Sequence, residues 1–369
     1  MIDESSHNIE YDLLRFASTI EANDERLEII TKLARKVNDW QVVISNAETD
    51  GIAPILYKHL LAANFPLENA VKNQFRALAI RHRHATPTRI RECVRISDLL
   101  DTRSIPSVAL KGIALANDLY PKPELRPMRD IDLLIPHFAA DAAKSIVIEA
   151  GYKFELDQPS RFMAHHHHLP NASKLVDDLL VSLELHIDAI SGDAPGSMRY
   201  DRLLKPPRVI SSNYGELRVL DHIDMMNQLS RHALEPGTRI KLMSVMDILG
   251  YANKYFSDID WPILERKYPY LPVFLGLLDF VTPLPAQLRG FILSDTSPSQ
   301  IGELIPTLRS LNVSKITLLK ACQTLSSPPE WWFRSYYGVK VNHRSRISAI
   351  IEHRLRIIFW ITRRLLASI

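Results

Sequence analysis

Three carboxylates carry the chemistry that this sequence suggests. Asp130 and Asp132 flank one isoleucine in "RPMRDIDLLIP", and Glu184 sits in "SLELHIDAI". Alternate residues of a strand point to one face, so an Asp-x-Asp pair in a strand presents two carboxylates side by side. Like charges that close are unfavourable unless a cation neutralises them. In "SLELHIDAI", Glu184, His186 and Asp188 share one face of a second expected strand, with Leu183, Leu185 and Ile187 on the other. If the two strands are neighbours, Glu184 or Asp188 completes a three-acid cluster, with Glu184 preferred. Such clusters hold two divalent cations about 4 Å apart and serve in-line phosphoryl and nucleotidyl transfer. Mg²⁺, with Mn²⁺ as a substitute, is the hard ion that takes one or two carboxylates plus phosphate oxygens.

Basic groups surround the acids in sequence. "VALKGIAL" reads as a strand over 106–110, a turn at Lys111–Gly112 and a helix. A glycine at such a turn lets backbone N–H groups approach a phosphate at the helix start, and Lys111 adds a point charge. Arg126 and Arg129 either reach phosphates or pair with Asp130 and Asp132. His186 either orients Glu184, faces an acceptor or is a satisfied structural histidine. Lys241, in "RHALEPGTRIKLMSVMDIL" with His232, Arg239 and Asp247, either reaches a phosphate or is surface charge. His165–His168 form a run of four that cannot all converge on one ion. The run reads as a loop over the site or as plain surface.

The elements that must position these groups form an α/β middle between helical flanks. Residues 9–100 show apolar positions at three- and four-residue spacing, as amphipathic helices do. The segment from Lys72 to Arg95 is helical and strongly basic. From 104 the pattern alternates short strands with helices, and from about Leu217 it returns to helix, ending in the basic amphipathic "RSRISAIIEHRLRIIFWITRRLLASI". That last stretch either docks on the protein or makes peripheral contact with an anionic surface. The expectation is an α+β fold: residues 1–103 helical, 104–212 a catalytic core with a small mixed sheet, 213–369 helical.

Composition narrows the class. The chain has 369 residues, 46% of them hydrophobic and 24% charged, with a formal net charge of +3, which fits a globular protein and demands no nucleic acid. Two distant cysteines, Cys93 and Cys322, oppose a disulfide framework. An acidic N-terminus lacks the features of a signal peptide, and no apolar run approaches the roughly 20 residues of a membrane span. A cytoplasmic location is expected.

The combined pattern resembles the uncharacterised bacterial nucleotidyltransferase family of the polymerase-beta-like superfamily. The resemblance rests on "LKGIALANDLYPKPELRPMRDIDLLI", "HHHHLP" and "LELHIDAI" together. It implies that Asp130, Asp132 and Glu184 bind metal and that Glu184 assists the acceptor hydroxyl. It further implies a nucleoside triphosphate substrate, ATP by default, and release of pyrophosphate. The wider superfamily carries Gly-Ser where Lys111–Gly112 stands, so Lys111 replaces the serine contact. The acceptor is open: a small molecule, a sugar, a peptide or protein, or a tRNA end. Rival readings are phosphoryl or glycosyl transfer in peptide or polysaccharide tailoring, toxin-like tRNA modification, and a non-catalytic nucleotide-binding module. A basic 72–95 segment flanking the acids would favour tRNA.

Overall fold

A computed structural model describes residues 8–155, 167–190, 197–234, 240–279, 281–291 and 347–356. The chain opens with five helices, α1 (Ile9–Ala17), α2 (Asp24–Ala34), α3 (Trp40–Thr49), α4 (Ala53–Ala62) and α5 (Asn69–Asp101). The first three start on side-chain caps. Asn8, Asn23 and Asp39 each accept backbone N–H groups that the first helical turn leaves unpaired. The 33-residue α5 carries Pro87 in its interior and supplies the sheet with a long apolar face, including Ile90, Cys93, Val94 and Ile96.

The middle of the chain then builds β1 (Val108–Ala109), α6 (Lys111–Asp118), β2 (Asp130–Leu134), α7 (Ala140–Glu149), β3 (Lys153–Phe154), β4 (Ala172–Val176), β5 (Leu179–His186), β6 (Arg208–Ser212) and β7 (Gly215–Val219). These strands form one seven-stranded mixed sheet in the order β3-β4-β5-β2-β1-β7-β6. β2 pairs parallel with β5 and antiparallel with β1, while β1 runs parallel to β7. The fold is therefore α+β, with a mixed sheet and helices before and after it.

The sheet is larger than the sequence pattern suggested. β4 follows the histidine run read as loop, β6 was not anticipated, and β7 runs through Leu217, where helix was expected to resume. The β4–β5 hairpin turns on Asp177 and Asp178, both with left-handed backbone (φ 48 and 61). Two residues with positive φ suit a tight hairpin, and aspartate tolerates them without glycine. The division expected at residue 212 falls in the turn of the β6–β7 hairpin. The sheet reaches Val219, whose partner is Ala109 of β1.

The chain continues with α8 (His222–Ala233), α9 (Leu242–Lys254), α10 (Trp261–Lys267), α11 (Tyr270–Leu278) and α12 (Ala286–Phe291). One hydrophobic core runs from Leu13 to Leu288 through all three expected regions. Residues 347–356 are helical; Ala349 and His353 are buried, while Ile347, Ile351 and Leu355 are exposed. Among the described residues no helix is long and apolar enough to cross a membrane.

Candidate active site

The parallel pairing of β2 with β5 assembles the acids. Asp132 stands opposite Glu184, and Asp130 opposite Ser182. The strands are held there by their other faces, because Ile131, Leu133, Leu183 and Leu185 are all fully buried. Asp132 is 4% exposed, while Asp130 and Glu184 are half-buried. Asp188 takes another role. It accepts hydrogen bonds from Ile190 N (3.1 Å), Met198 N (2.8 Å) and Ser197 Oγ (2.6 Å), so it ties the chain after β5 to residues 197–198.

His186 bridges two of the acids. Its Nε2 lies 2.7 Å from Asp132 Oδ1 and 3.4 Å from Glu184 Oε2, and the ring is fully buried. Nδ1 is buried and has no hydrogen-bond partner among the described residues. An orphaned acceptor costs less than an orphaned donor, so the proton belongs on Nε2, where both carboxylates share it. The end of the histidine run covers this ring. Ile187 N and Asp188 N donate to the His167 carbonyl, and Leu169 N donates to that of Leu185. The His167 and His168 rings then each lie 5.4 Å from the His186 ring. His165 and His166 lie outside the described residues.

Lys111 approaches from β1. Leu110 N donates to the Asp132 carbonyl at 3.0 Å, which fixes the turn beside β2. Lys111 Nζ is 3.4 Å from Asp132 Oδ1. Its backbone is left-handed, with φ 40. That conformation costs an L-residue about 1–2 kcal/mol, so a lysine here is held against a local preference for glycine. Gly112 is required for a different reason from the one expected. A Cβ there would lie 2.9 Å from Arg126 Nη1 and 3.1 Å from Met128 Cβ. The glycine makes room for a buried arginine.

That arginine pairs with neither Asp130 nor Asp132. Arg126 is 6% exposed and grips Asp247 of α9 through Nε (3.2 Å to each oxygen) and Nη2 (2.8 Å). Tyr120 donates its hydroxyl to the same carboxylate at 2.6 Å. The arrangement is a strut between the segment before β2 and α9. Arg129 is exposed. Lys241 precedes α9 and is exposed; its charge is felt at His232, as are those of Lys111 and Asp132. The His232 side chain meets solvent yet is surrounded by protein, and that crowding, with the Lys111 cation, pushes its pKa down to about 3. Arg239 lies outside the described residues.

The electrostatics separate the acids. Burial raises the Asp132 pKa, but Lys111 and the His186 hydrogen bond outweigh it and hold the group ionised far below the usual range. Asp130 is pushed the other way, by burial and then by the charges of Asp132 and Glu184. The hydrogen bond from His186 keeps Glu184 below its ordinary value despite burial. A cation beside these groups would relieve the repulsion that raises Asp130. The acids fit one: ligand oxygens of Asp132 and Glu184 lie within 4.8 Å of each other and of a His186 ring nitrogen, the only such group among the described residues, and Asp130 stands outside it; with its proton on Nε2, His186 steadies the two carboxylates.

Residues 36–274 match the family model described as uncharacterised nucleotidyltransferase. The chain belongs to that family. The matched span of this nucleotidyltransferase-family protein covers the helices from α3 on, the whole sheet and most of α11. Among solved structures, an antigenic nucleotidyltransferase-like protein from Paracoccidioides brasiliensis is similar at 15% identity, over 55% of this chain and 97% of that one, with a TM-score of 0.33. A likeness that partial decides nothing about the fold. No curated protein matches the chain.

Sequence reading missed two features of the site. Asp247 as the partner of Arg126 is 121 residues away, and no local signal announces it. Arg89 of α5 donates from Nε to the Arg129 carbonyl at 3.1 Å, directly before Asp130. Its buried position among the apolar residues of a basic helix was the available signal.

Proposed function

We propose that this protein moves a nucleoside monophosphate from a Mg²⁺-bound nucleoside triphosphate to an acceptor hydroxyl or phosphate, releasing pyrophosphate. The observation that carries this reading is the register of β2 on β5, which sets Glu184 opposite Asp132 with Asp130 two residues along. Asp130, Asp132 and Glu184 would hold the divalent ion, Mg²⁺ or Mn²⁺, and His186 lies in reach of two of them. Bound there, the ion would neutralise phosphate charge and acidify the attacking hydroxyl. His186 fixes Asp132 and Glu184 relative to one another. Lys111 stands at the first turn of α6, whose leading N–H groups lack a side-chain cap, and both favour a phosphate. Glu184, the most open of the acids at 25% side-chain exposure against 5% for Asp132, is placed to accept the acceptor's proton. ATP is the default donor. A small molecule, sugar or peptide is the preferred acceptor class.

The tRNA alternative is supported by one contact of α5 with the site and not by the rest of the helix's charge. The helix does touch the start of β2 through Arg89. Of its exposed cations, Lys72, Arg76 and Arg83 lie about 100–140° round the helix from Arg89 at 100° per residue, while Arg81 and Arg91 pair with Glu48 and Asp177.

The test is incubation with each α-labelled triphosphate, Mg²⁺ and a panel of acceptors. Metal-dependent label transfer that disappears in Asp130→Ala and Asp132→Ala is expected. Label transfer that survives both substitutions, or no transfer and no metal-dependent nucleotide binding, would refute the proposal.

A further inference from the structure

Arg89 is a buried arginine beside the acids that no salt bridge consumes among the described residues. It is only 9% exposed. Of its five N–H donors, Nε alone has a protein partner among the described residues, the Arg129 carbonyl at 3.1 Å. Its terminal nitrogens are not among the buried atoms without partners, so they open to solvent. The contrast with its neighbours is plain. Arg126 is consumed by Asp247, Arg81 pairs with Glu48 at 2.7 Å, and Arg95 pairs with Glu92 at 2.8 Å. Arg91 pairs with Asp177.

We propose that Arg89 is an anion clamp whose terminal guanidinium nitrogens hold a phosphoryl group of the substrate beside Asp130. Three observations converge on this. Nε is anchored one residue before a carboxylate of the acid cluster, which holds the guanidinium beside the start of β2. The only charges felt strongly at Arg89 are Asp130, which attracts it, and the Arg81 cation, which repels it. A guanidinium this buried, with one carbonyl as partner, has lost most of its hydration without full replacement, and a phosphate offers the planar fork two oxygens at once. Lys111 then serves Asp132 from the β1 side while Arg89 serves the Asp130 side, so anionic substrate is gripped from two elements.

The ligand chemistry is a phosphate oxygen pair, which either the triphosphate or a phosphorylated acceptor could supply. The inference rests on the nucleotidyl-transfer reading of the site, but its test does not. Full-length protein, Arg89→Gln, Arg89→Lys and a control, Arg83→Gln, are titrated calorimetrically with pyrophosphate, with ATP plus Mg²⁺, and with inorganic phosphate after ATP saturation. Loss of charge-assisted hydrogen bonds predicts pyrophosphate binding about 10- to 100-fold weaker in Arg89→Gln. Arg89→Lys falls between, since it keeps charge and loses the fork. Arg83→Gln, an exposed cation of the same helix, binds as wild type. Weakened ATP binding places the clamp on the triphosphate. Unchanged ATP binding with lost inorganic phosphate binding places it on the acceptor. If Arg89→Gln melts as wild type does and binds all three probes equally, Arg89 only ties α5 to β2 and the proposal is wrong. If Arg89→Gln does not fold, Arg89→Lys decides: unchanged affinity overturns the proposal, weaker affinity supports it. Arg89-dependent pyrophosphate binding in a protein that transfers no nucleotide would leave the clamp standing and remove the transferase reading.

Discussion

Asp130 and Asp132 share a strand face but not an environment. Lys111 and His186 hold Asp132 ionised, whereas burial and two neighbouring carboxylates push the Asp130 pKa up. The pair is thus poised for a cation, and His186 sets how well the acids are held for it. His186→Gln is predicted to weaken Mn²⁺ binding about 10-fold, the usual effect of losing a group that orients metal ligands, read by electron paramagnetic resonance titration. A second residue governs stability. His59 is 2% exposed, with Nε2 2.8 Å from the Thr19 carbonyl, and burial pushes its pKa down to about 4 from 6.5. The folded state favours the neutral ring, so the contribution is complete above pH 6.5 and is lost as pH falls toward 4. The shift corresponds to at most ~3 kcal/mol. Urea unfolding of wild type is expected to show stability declining across that window, with a shallower decline in His59→Gln.

At the scale of elements, the site depends on a strut outside it. Arg126 joins the segment before β2 to Asp247 in α9, and Gly112 at the head of α6 leaves room for it. Removing one member of a buried pair leaves a charge unpaired, so Asp247→Ala is predicted to destabilise the fold by about 3–5 kcal/mol in chemical denaturation. The Asp-x-Asp strand and Glu184 were legible in the sequence because strand alternation marks both faces. β4 was not, since the Asp177–Asp178 turn uses left-handed backbone without the glycine that usually signals it. β6 and β7 were missed because a polar outer face dilutes their pattern: Ser211, Glu216 and Arg218. The strut and the contact that Arg89 makes were unreadable for another reason. They are contacts between residues 121 and 40 positions apart, which periodicity does not encode.

Across the whole molecule, the three expected regions share one core rather than three. Leu13 of α1, Leu183 of β5 and Leu288 of α12 belong to the same buried cluster, and Arg15 of α1 donates to the Val281 carbonyl. The central region also lacks its own boundary at 212, because β7 supplies a neighbour to β1. Residues 104–212 expressed alone are therefore expected to show no cooperative unfolding transition by circular dichroism, whereas the full chain unfolds in one. A cooperative transition in the fragment would mean the central region folds independently of the helices around it.

The central claim is that Asp130, Asp132 and Glu184 form a cation-dependent triphosphate site. Equilibrium binding of labelled ATP, with and without Mg²⁺, to wild type, Asp132→Asn and Glu184→Gln tests it most directly. The account predicts Mg²⁺-dependent binding in wild type and loss of that dependence in both variants, with melting temperatures showing that they remain folded. Mg²⁺-independent binding in wild type, or undiminished Mg²⁺-dependent binding in Asp132→Asn, would contradict it.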